Sequence, residues 1–298
     1  ILLLTFTILC FASFDRKLGI VRLFANASPV YTGAFVHEVN WSPMPEGILD
    51  LIYGRWGKST AVLPRYWFAP KETENRQPMI TKLDGKDALP LRGILGLEDL
   101  ELEHRPDFAD LLGRPESLSG KIWITDAVGD QFGIKPGESL LMNGKKFEVG
   151  PYIDANKFAS LQDMDGSSIL PVDFSAMEGA MGQQSDDTRE ALAADSQQNW
   201  AYLATDTVCV VANSDARSLG AKLHGVNLYT KDVRTATQLG EVLAMTLGRP
   251  VSATRTEGVY LHALGNKMSA SGAGDLIFPI ILGGLVIFGT MLGSVADR

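Results

Sequence analysis

The stretch from Ala34 to Ala69 reads AFVHEVNWSPMPEGILDLIYGRWGKSTAVLPRYWFA and indicates an α+β fold. Its first six residues, Ala34 to Val39, have the apolar and β-branched content of a strand. Pro45 then opens a helical pattern, in which four apolar residues recur on one face: Ile48, Leu49, Ile52 and Trp56. The run from Lys58 to Ala69 predicts a second strand, so the stretch forms a strand–helix–strand unit.

The same alternation returns in the last third of the chain. Two helices are predicted there, over Asp215–Leu223 and Asp232–Leu247, and the second repeats apolar residues at helical spacing. The strands predicted around them are Val208–Ala212, Val226–Thr230, Val251–Arg255 and Val259–Ala263.

The centre of the chain is richer in strands. Short runs predict strands at Met79–Leu83, Ala88–Ile94 and Lys121–Thr125, with helices over Glu98–Leu112 and Asp126–Phe132. Asn143 and Gly144 separate two further strand runs, and an Asn-Gly pair in that position is the strongest short signal for a β-hairpin.

This order predicts a domain over 15–275 that is built in two parts. A strand–helix subdomain combines about 30–70 with about 205–265, and a strand-rich subdomain of about 76–200 is inserted in it. Ser185 to Gln198 is acidic and lacks aromatic residues, so an exposed loop or a loose helix is expected there.

Both ends of the chain are apolar. Residues 1–14 carry no charge before Asp15, and they are interpreted as the outer part of a truncated transmembrane helix, since a full span takes about 20 apolar residues. The alternative is the apolar core of a signal peptide, but neither the basic segment before it nor the small-residue cleavage site after it is clear.

Residues 276–293 predict a second transmembrane helix because they form a long run without charge. Gly289 and Gly293 lie four residues apart, a spacing that lets membrane helices pack closely. The competing interpretation, a buried core helix, fits poorly with so long an uncharged run. The two spans are therefore expected to flank the domain and to contact membrane lipid.

Composition excludes some function classes. The formal net charge of −8 disfavours nucleic-acid binding, which needs a basic surface. The two cysteines, Cys10 and Cys209, leave a single thiol in the central domain, so an internal disulfide framework and cysteine-type zinc sites are excluded there.

No group of residues has the pattern of a catalytic, cofactor or metal site. Gly57-Lys-Ser-Thr60 lacks the earlier glycine of a phosphate loop and follows a helical pattern. The four histidines do not have the spacing of paired metal ligands, and His37 and His262 are interpreted as structural. The Asp163–Ser168 segment is interpreted as a turn stabilised by aspartate side chains rather than as a calcium loop.

The segment Ile287-Phe-Gly-Thr-Met-Leu-Gly-Ser-Val-Ala-Asp-Arg298 resembles the FtsX-like permease family of ABC transporters, in which the second membrane helix ends in a similar Thr-Met-x-x-Ser-Val-x-x-Arg pattern. Asp297 stands where the family more often has glutamate. The segment from Thr125 to Val149 looks like part of the MacB-type periplasmic core domain of the same family.

The resemblance implies a non-catalytic membrane subunit in the cytoplasmic (inner) membrane. Its outer domain would receive motion from an ABC ATPase subunit, and Ser294, Asp297 and Arg298 would begin the coupling segment over 294–298. A second permease copy or paralogue and an outer adaptor protein are the other expected partners. The family places this domain on the outer side, whereas a count of the basic residues beside the two spans favours the cytoplasm.

Two other functions share this topology. An extracytoplasmic ligand-sensing domain of a transmembrane receptor would be followed by a signalling linker and a coiled coil. A membrane-tethered enzyme would gather titratable residues in a pocket.

Overall fold

The computed structural model describes residues 15–69, 77–176 and 200–269 of the chain. Within them the strands are β1 Asp15–Asn26, β2 Gly33–His37, β3 Ala61–Phe68, β4 Met79–Lys82, β5 Ala88–Pro90, β6 Gly93–Leu97, β7 Lys121–Trp123, β8 Ser139–Met142, β9 Lys145–Val149, β10 Val208–Ala212, β11 Lys222–Tyr229, β12 Val251–Arg255 and β13 Gly258–Ser269. The helices are α1 Gly47–Trp56, α2 Asp99–His104, α3 Pro106–Leu111, α4 Asp126–Phe132, α5 Ala155–Ser160, α6 Asn213–Ser218 and α7 Val233–Leu247, with a short 3₁₀ turn at Thr205–Thr207.

The strands form one mixed sheet in the order β1-β13-β12-β2-β11-β3-β6-β10-β7-β9-β8-β4-β5. Strand β10 runs parallel to β6, and β7 runs parallel to β9. Strand β11 is antiparallel to both β2 and β3. Strands from the two ends of the described chain therefore occupy one half of the sheet, and strands from its centre occupy the other half together with β10.

Successive side chains of the strands point to opposite sides of the sheet. Each face is covered by its own apolar cluster. On β2, Ala34 and Val36 join one apolar cluster and Phe35 joins the other. The first cluster includes residues of α1, α4, α6 and α7. The second includes residues of α3 and α5 and of the segment 161–172.

Several local predictions are confirmed. The structure is α+β, with helices on a mixed sheet. Asn143 and Gly144 both have positive φ, 50° and 85°, and connect β8 to β9 as a hairpin. Helix α7 begins after Asp232, whose side chain accepts a hydrogen bond from the backbone N–H of Thr235.

Other elements differ from the prediction. The helix expected over Glu98–Leu112 is two helices, because Pro106 lacks the N–H that would continue α2 and instead begins α3. The strand expected over Ala88–Ile94 is two strands, β5 and β6. Helix α6 ends at Ser218 rather than Leu223, because Gly220 adopts φ 95° and the chain turns into β11. Strand β1 was not predicted.

Residue contacts separate a larger unit, Val21–Ala263, from a smaller one to which residues 15–20 and 264–269 belong. The boundaries proposed for the inserted subdomain stay a prediction. Among the described residues, no helix has both the length and the apolar character to cross a bilayer. The two expected spans, 1–14 and 276–293, lie outside those residues.

Candidate functional site

The site residues named by the sequence lie outside the described residues. Gly289 and Gly293, expected in helix packing, and Ser294, Asp297 and Arg298, expected in the coupling segment, all follow residue 269. Their roles stay predictions. Within the described residues, the strongest concentration of chemically distinctive side chains lies on the second face of the sheet.

A buried charge cluster forms the centre of this site; it consists of Arg65, Glu101, Arg105, Asp107 and Asp163. Arg65 projects from β3 and has a side chain that is only 1% exposed. Its guanidinium donates to Glu101 Oε1 on α2 and to Asp163 Oδ2, the latter at 3.1 Å. Both carboxylates are fully buried. Because a buried charge is tolerated only when it is paired, these contacts fix three separate segments together.

Arg105 is the second cation of the cluster and lies between α2 and α3. Its Nε and Nη2 donate to the two carboxylate oxygens of Asp107, with Nε–Oδ1 at 2.8 Å and Nη2–Oδ2 at 2.6 Å. Nη2 also donates to the carbonyl oxygen of Gln162 at 3.0 Å, and Nη1 lies 3.9 Å from Asp163 Oδ1. The planar guanidinium thus joins the α2–α3 corner to the segment that carries Asp163.

The electrostatics of the cluster follow from burial and pairing. Burial raises the pKa of Glu101 and of Asp163, and the nearby arginines oppose that rise without cancelling it. Burial would lower the pKa of Arg65, but Asp163 and Glu101 outweigh it and the net shift is upward. Burial would raise the pKa of Asp107, but its hydrogen bonds with Arg105 lower it.

The Asp163–Ser167 segment, here called the aspartate turn, is a compact loop held by its own hydrogen bonds. The N–H of Asp163 donates to the carbonyl of Ser167 at 2.8 Å, and the N–H of Gly166 donates to the carbonyl of Asp163 at 3.0 Å. Asp165 Oδ1 accepts from the N–H and the hydroxyl of Ser167. This confirms the prediction of a turn stabilised by aspartate side chains.

The aspartate turn contacts four strands. Asn26 at the end of β1 donates to the carbonyl of Met164 at 3.5 Å, and Thr254 of β12 lies 3.9 Å from the Met164 sulfur. His37 of β2 contacts Asp165, and Arg65 of β3 contacts Asp163. The turn therefore links strands that lie apart in the sheet.

His37 belongs both to this turn and to a series of stacked rings. The ring stacks on Trp41 at 4.1 Å between centroids, Trp41 stacks on Trp67 at 4.9 Å, and Trp67 stacks on His224 at 5.1 Å. His224 Nδ1 lies 2.7 Å from the Trp41 carbonyl oxygen. The series fixes the 38–41 loop against β3 and β11.

A second stack lies on the same face. Tyr229 of β11 lies between Tyr31, at 4.2 Å, and His104, at 4.7 Å. The Tyr31 hydroxyl donates to the side-chain oxygen of Asn227, which is fully buried. Burial raises the pKa of Tyr31 and of Tyr229 well above the ordinary tyrosine range. Both therefore remain neutral and act as packing and hydrogen-bonding groups.

His262 lies on the other face, under α7. Its side chain is fully buried, and among the described residues neither ring nitrogen has a hydrogen-bond partner. Burial lowers its pKa to about 4, and Arg22 and Arg255 contribute to the decrease against Glu241. His262 is thus held neutral in β13, within the strand that the sequence predicts over Val259–Ala263.

The described residues contain no group of three or more histidine, cysteine, aspartate or glutamate side chains that could hold a metal ion. Each arginine of the charge cluster pairs with carboxylates of the same chain. The cluster therefore holds segments of this chain together. Sequence reasoning missed Arg65. The available signal was a single charged residue within the otherwise apolar run of β3, Ala61–Phe68.

Comparisons with known proteins complete the description. No protein-family model matches the sequence. No curated protein matches it either. Among solved structures, the fold is similar to the extracellular domain of the noncanonic ABC-type transporter YknZ from Gram-positive bacteria, with 11% identity and a TM-score of 0.34. That similarity covers 83% of this chain and 100% of the other.

Proposed function

We propose that this chain is the permease subunit of an ABC transporter, and that its central domain lies on the outer side of the cytoplasmic membrane and receives motion generated by an ATPase. The sequence support is the pattern from Ile287 to Arg298. The structural support is the way the chain enters and leaves the sheet.

Strands β1 and β13 are neighbours at one edge of the sheet. They are the first and last elements described, and each is 12 residues long. Within the larger unit, the rings of Phe24 and Tyr260 pack edge to face across them at 5.5 Å. The segments before β1 and after β13, where the two spans are predicted, therefore connect to a single edge of the domain. This adjacency is the observation that carries the proposal.

Movement applied to the edge formed by β1 and β13 can be transmitted to the rest of the sheet through paired strands. Hydrogen-bonded strands continue across the sheet from β13 through β12 and β2 to β11 and β3. The charge cluster then fixes β3 to α2 and to the aspartate turn. A packed interior with paired charges deforms little, so motion that reaches β3 would also reach α2 and the aspartate turn.

In this proposal the chain itself is non-catalytic, and ATP hydrolysis takes place on a separate or fused ATPase. A second permease copy or paralogue, an outer adaptor and membrane lipid are the other proposed partners. The substrate would be exported or extracted at the outer domain.

The test uses the full chain reconstituted in lipid with the ATPase encoded beside it or fused to it. Arg298→Ala should lower the ATPase rate that depends on the permease, while the central domain remains folded. Arg114→Ala is the matched control, because Arg114 is an exposed arginine that, among the described residues, pairs with Asp110 at the surface.

Unchanged coupling in Arg298→Ala would contradict the coupling role. If no such ATPase co-purifies, and a kinase or methyl-accepting region belongs to the same protein, the chain is instead the sensing domain of a transmembrane receptor.

A further inference from the structure

We infer that His37 and Asp165 form a proton-controlled clamp, which holds the aspartate turn against β2 while His37 is charged and loosens the turn when His37 loses its proton. The inference concerns the central domain alone and holds independently of the proposed function.

Both ring nitrogens of His37 face oxygen acceptors. Nδ1 lies 2.8 Å from the carbonyl oxygen of Glu38, and Nε2 lies 3.0 Å from Asp165 Oδ2. A carbonyl and a carboxylate oxygen can only accept hydrogen bonds, so each nitrogen must carry a hydrogen to form its bond. Only the doubly protonated ring satisfies both contacts.

Loss of one proton from the His37 ring changes its attraction to the Asp165 carboxylate into a repulsion. The neutral ring keeps a single N–H, and the other nitrogen presents a lone pair to its oxygen neighbour. If Nδ1 keeps its bond to Glu38, the lone pair on Nε2 faces the Asp165 carboxylate. Histidine is the side chain whose charge ordinarily changes between about pH 5 and 8.

The proton can reach the pair without unfolding of the domain. The side chains of His37 and Asp165 are 14% and 13% exposed. His262, in contrast, is fully buried. The clamp is thus positioned at the border of the core, where a charge is partly screened and still coupled to its partner.

Other charged and titratable groups face the pair. Asp163 acts on the same ring from the aspartate turn, and the Tyr202 phenol faces Asp165 from the segment before β10. The Glu38 side chain is directed to Arg249 instead. The hydrogen bonds from His37 and Ser167 lower the pKa of Asp165 despite its burial, so this carboxylate stays ionised in mildly acidic solution.

Opening of the clamp would release a link across the sheet. The aspartate turn also contacts Asn26 of β1 and Arg65 of β3. Its own amides report on its order, because the N–H groups of Asp163, Gly166 and Ser167 are all donated within the turn.

The experiment is amide hydrogen exchange of the full chain in detergent micelles at about pH 5.5 and about pH 8.5, on either side of the histidine range. Rates are divided by the intrinsic exchange rate at each pH. In the wild type, protection of the turn amides should fall about tenfold at the higher pH, the factor that corresponds to about 1.4 kcal/mol.

His37→Gln isolates the charge, because the glutamine amide can still donate to Asp165 but is neutral. The turn should then be weakly protected at both pH values. His104→Gln is the matched control, since His104 stacks on Tyr229 rather than on the turn, and it should keep the wild-type difference. Asp165→Asn is the second variant, because it keeps an acceptor for Ser167 and removes the negative charge; it too should lose the pH dependence.

A wild-type turn with equal protection at both pH values would overturn the clamp. So would a pH difference that persists in either His37→Gln or Asp165→Asn.

Discussion

Arg65 Nη1 lies 3.1 Å from Asp163 Oδ2, in a region of the core where neither side chain is more than 1% exposed. The two residues are 98 positions apart in sequence. Their pairing therefore closes β3 against the aspartate turn, and Glu101 on the same guanidinium closes β3 against α2.

Removal of Arg65 should destabilise the domain strongly. Arg65→Met keeps much of the side-chain volume but leaves Glu101 buried without its cation, and leaves Asp163 with the more distant guanidinium of Arg105, 3.9 Å away. Breaking a buried pair in this way typically costs about 3–5 kcal/mol. Denaturant unfolding followed by circular dichroism should show the loss as a lower midpoint at similar cooperativity.

Arg114→Met is the control for this measurement. Arg114 pairs with Asp110 four residues earlier, and the two side chains are 74% and 59% exposed. Exposed pairs of this kind contribute at most about 0.5 kcal/mol. A similar loss of unfolding free energy in Arg65→Met and Arg114→Met would show that the buried Arg65 pairs stabilise the domain no more than an exposed pair does.

Elements with local signals were predictable from the sequence. The Asn143-Gly144 turn and helix α7, which the structure shows to be capped by Asp232, depend on backbone conformations and hydrogen bonds within a few residues. The charge cluster was not predictable in the same way. Arg65 pairs with Glu101, which is 36 residues away in sequence, and no local sequence pattern predicts such a pairing. Strand β1 was missed because its charges, Asp15 to Lys17 and Arg22, interrupt the apolar alternation of a strand.

Cys209 should be unreactive in the native protein. It is fully buried on β10, and burial raises the pKa of its thiol to about 12. The thiolate is the reactive form, so very little of it exists near neutral pH. In a Cys10→Ser background, a thiol reagent should label the folded chain slowly and the denatured chain at once. Rapid labelling before unfolding would show that β10 opens locally.

Gly240 should tolerate no side chain, because α7 lies close to the sheet there. A Cβ at this position would lie 2.5 Å from the Cβ of Ala253 on β12. Gly240→Ala should therefore lower the free energy of unfolding by about 1–3 kcal/mol, although alanine favours a helix.

Gly54→Ala provides the matched comparison. Gly54 is an exposed residue of α1, and a Cβ there would meet nothing within 4 Å. This variant should gain about 0.5–1 kcal/mol from helix propensity. Thermal unfolding of both proteins gives the comparison, and a gain in both would contradict the close approach of α7 to β12.

Stability should also depend on pH through His262. Its pKa in the folded state is lowered to about 4 by burial, whereas an unfolded histidine titrates near about 6.5. Between these values the unfolded chain binds a proton that the folded chain excludes. The stabilisation is therefore complete above about pH 6.5 and is lost as the pH falls through the folded value, by up to about 3 kcal/mol.

His262→Leu should remove this dependence, because leucine has no proton to bind in either state. Glu101 and Asp163, whose pKa values are raised by burial, change stability in the opposite direction as the pH falls, but they do so equally in both proteins. The difference between the two unfolding profiles from about pH 7 to about pH 4 therefore isolates His262. His104→Leu, at an exposed histidine, should follow the wild-type profile. Parallel profiles for wild type and His262→Leu would mean that His262 takes up its proton without leaving the core, and that α7 yields to accommodate the charge.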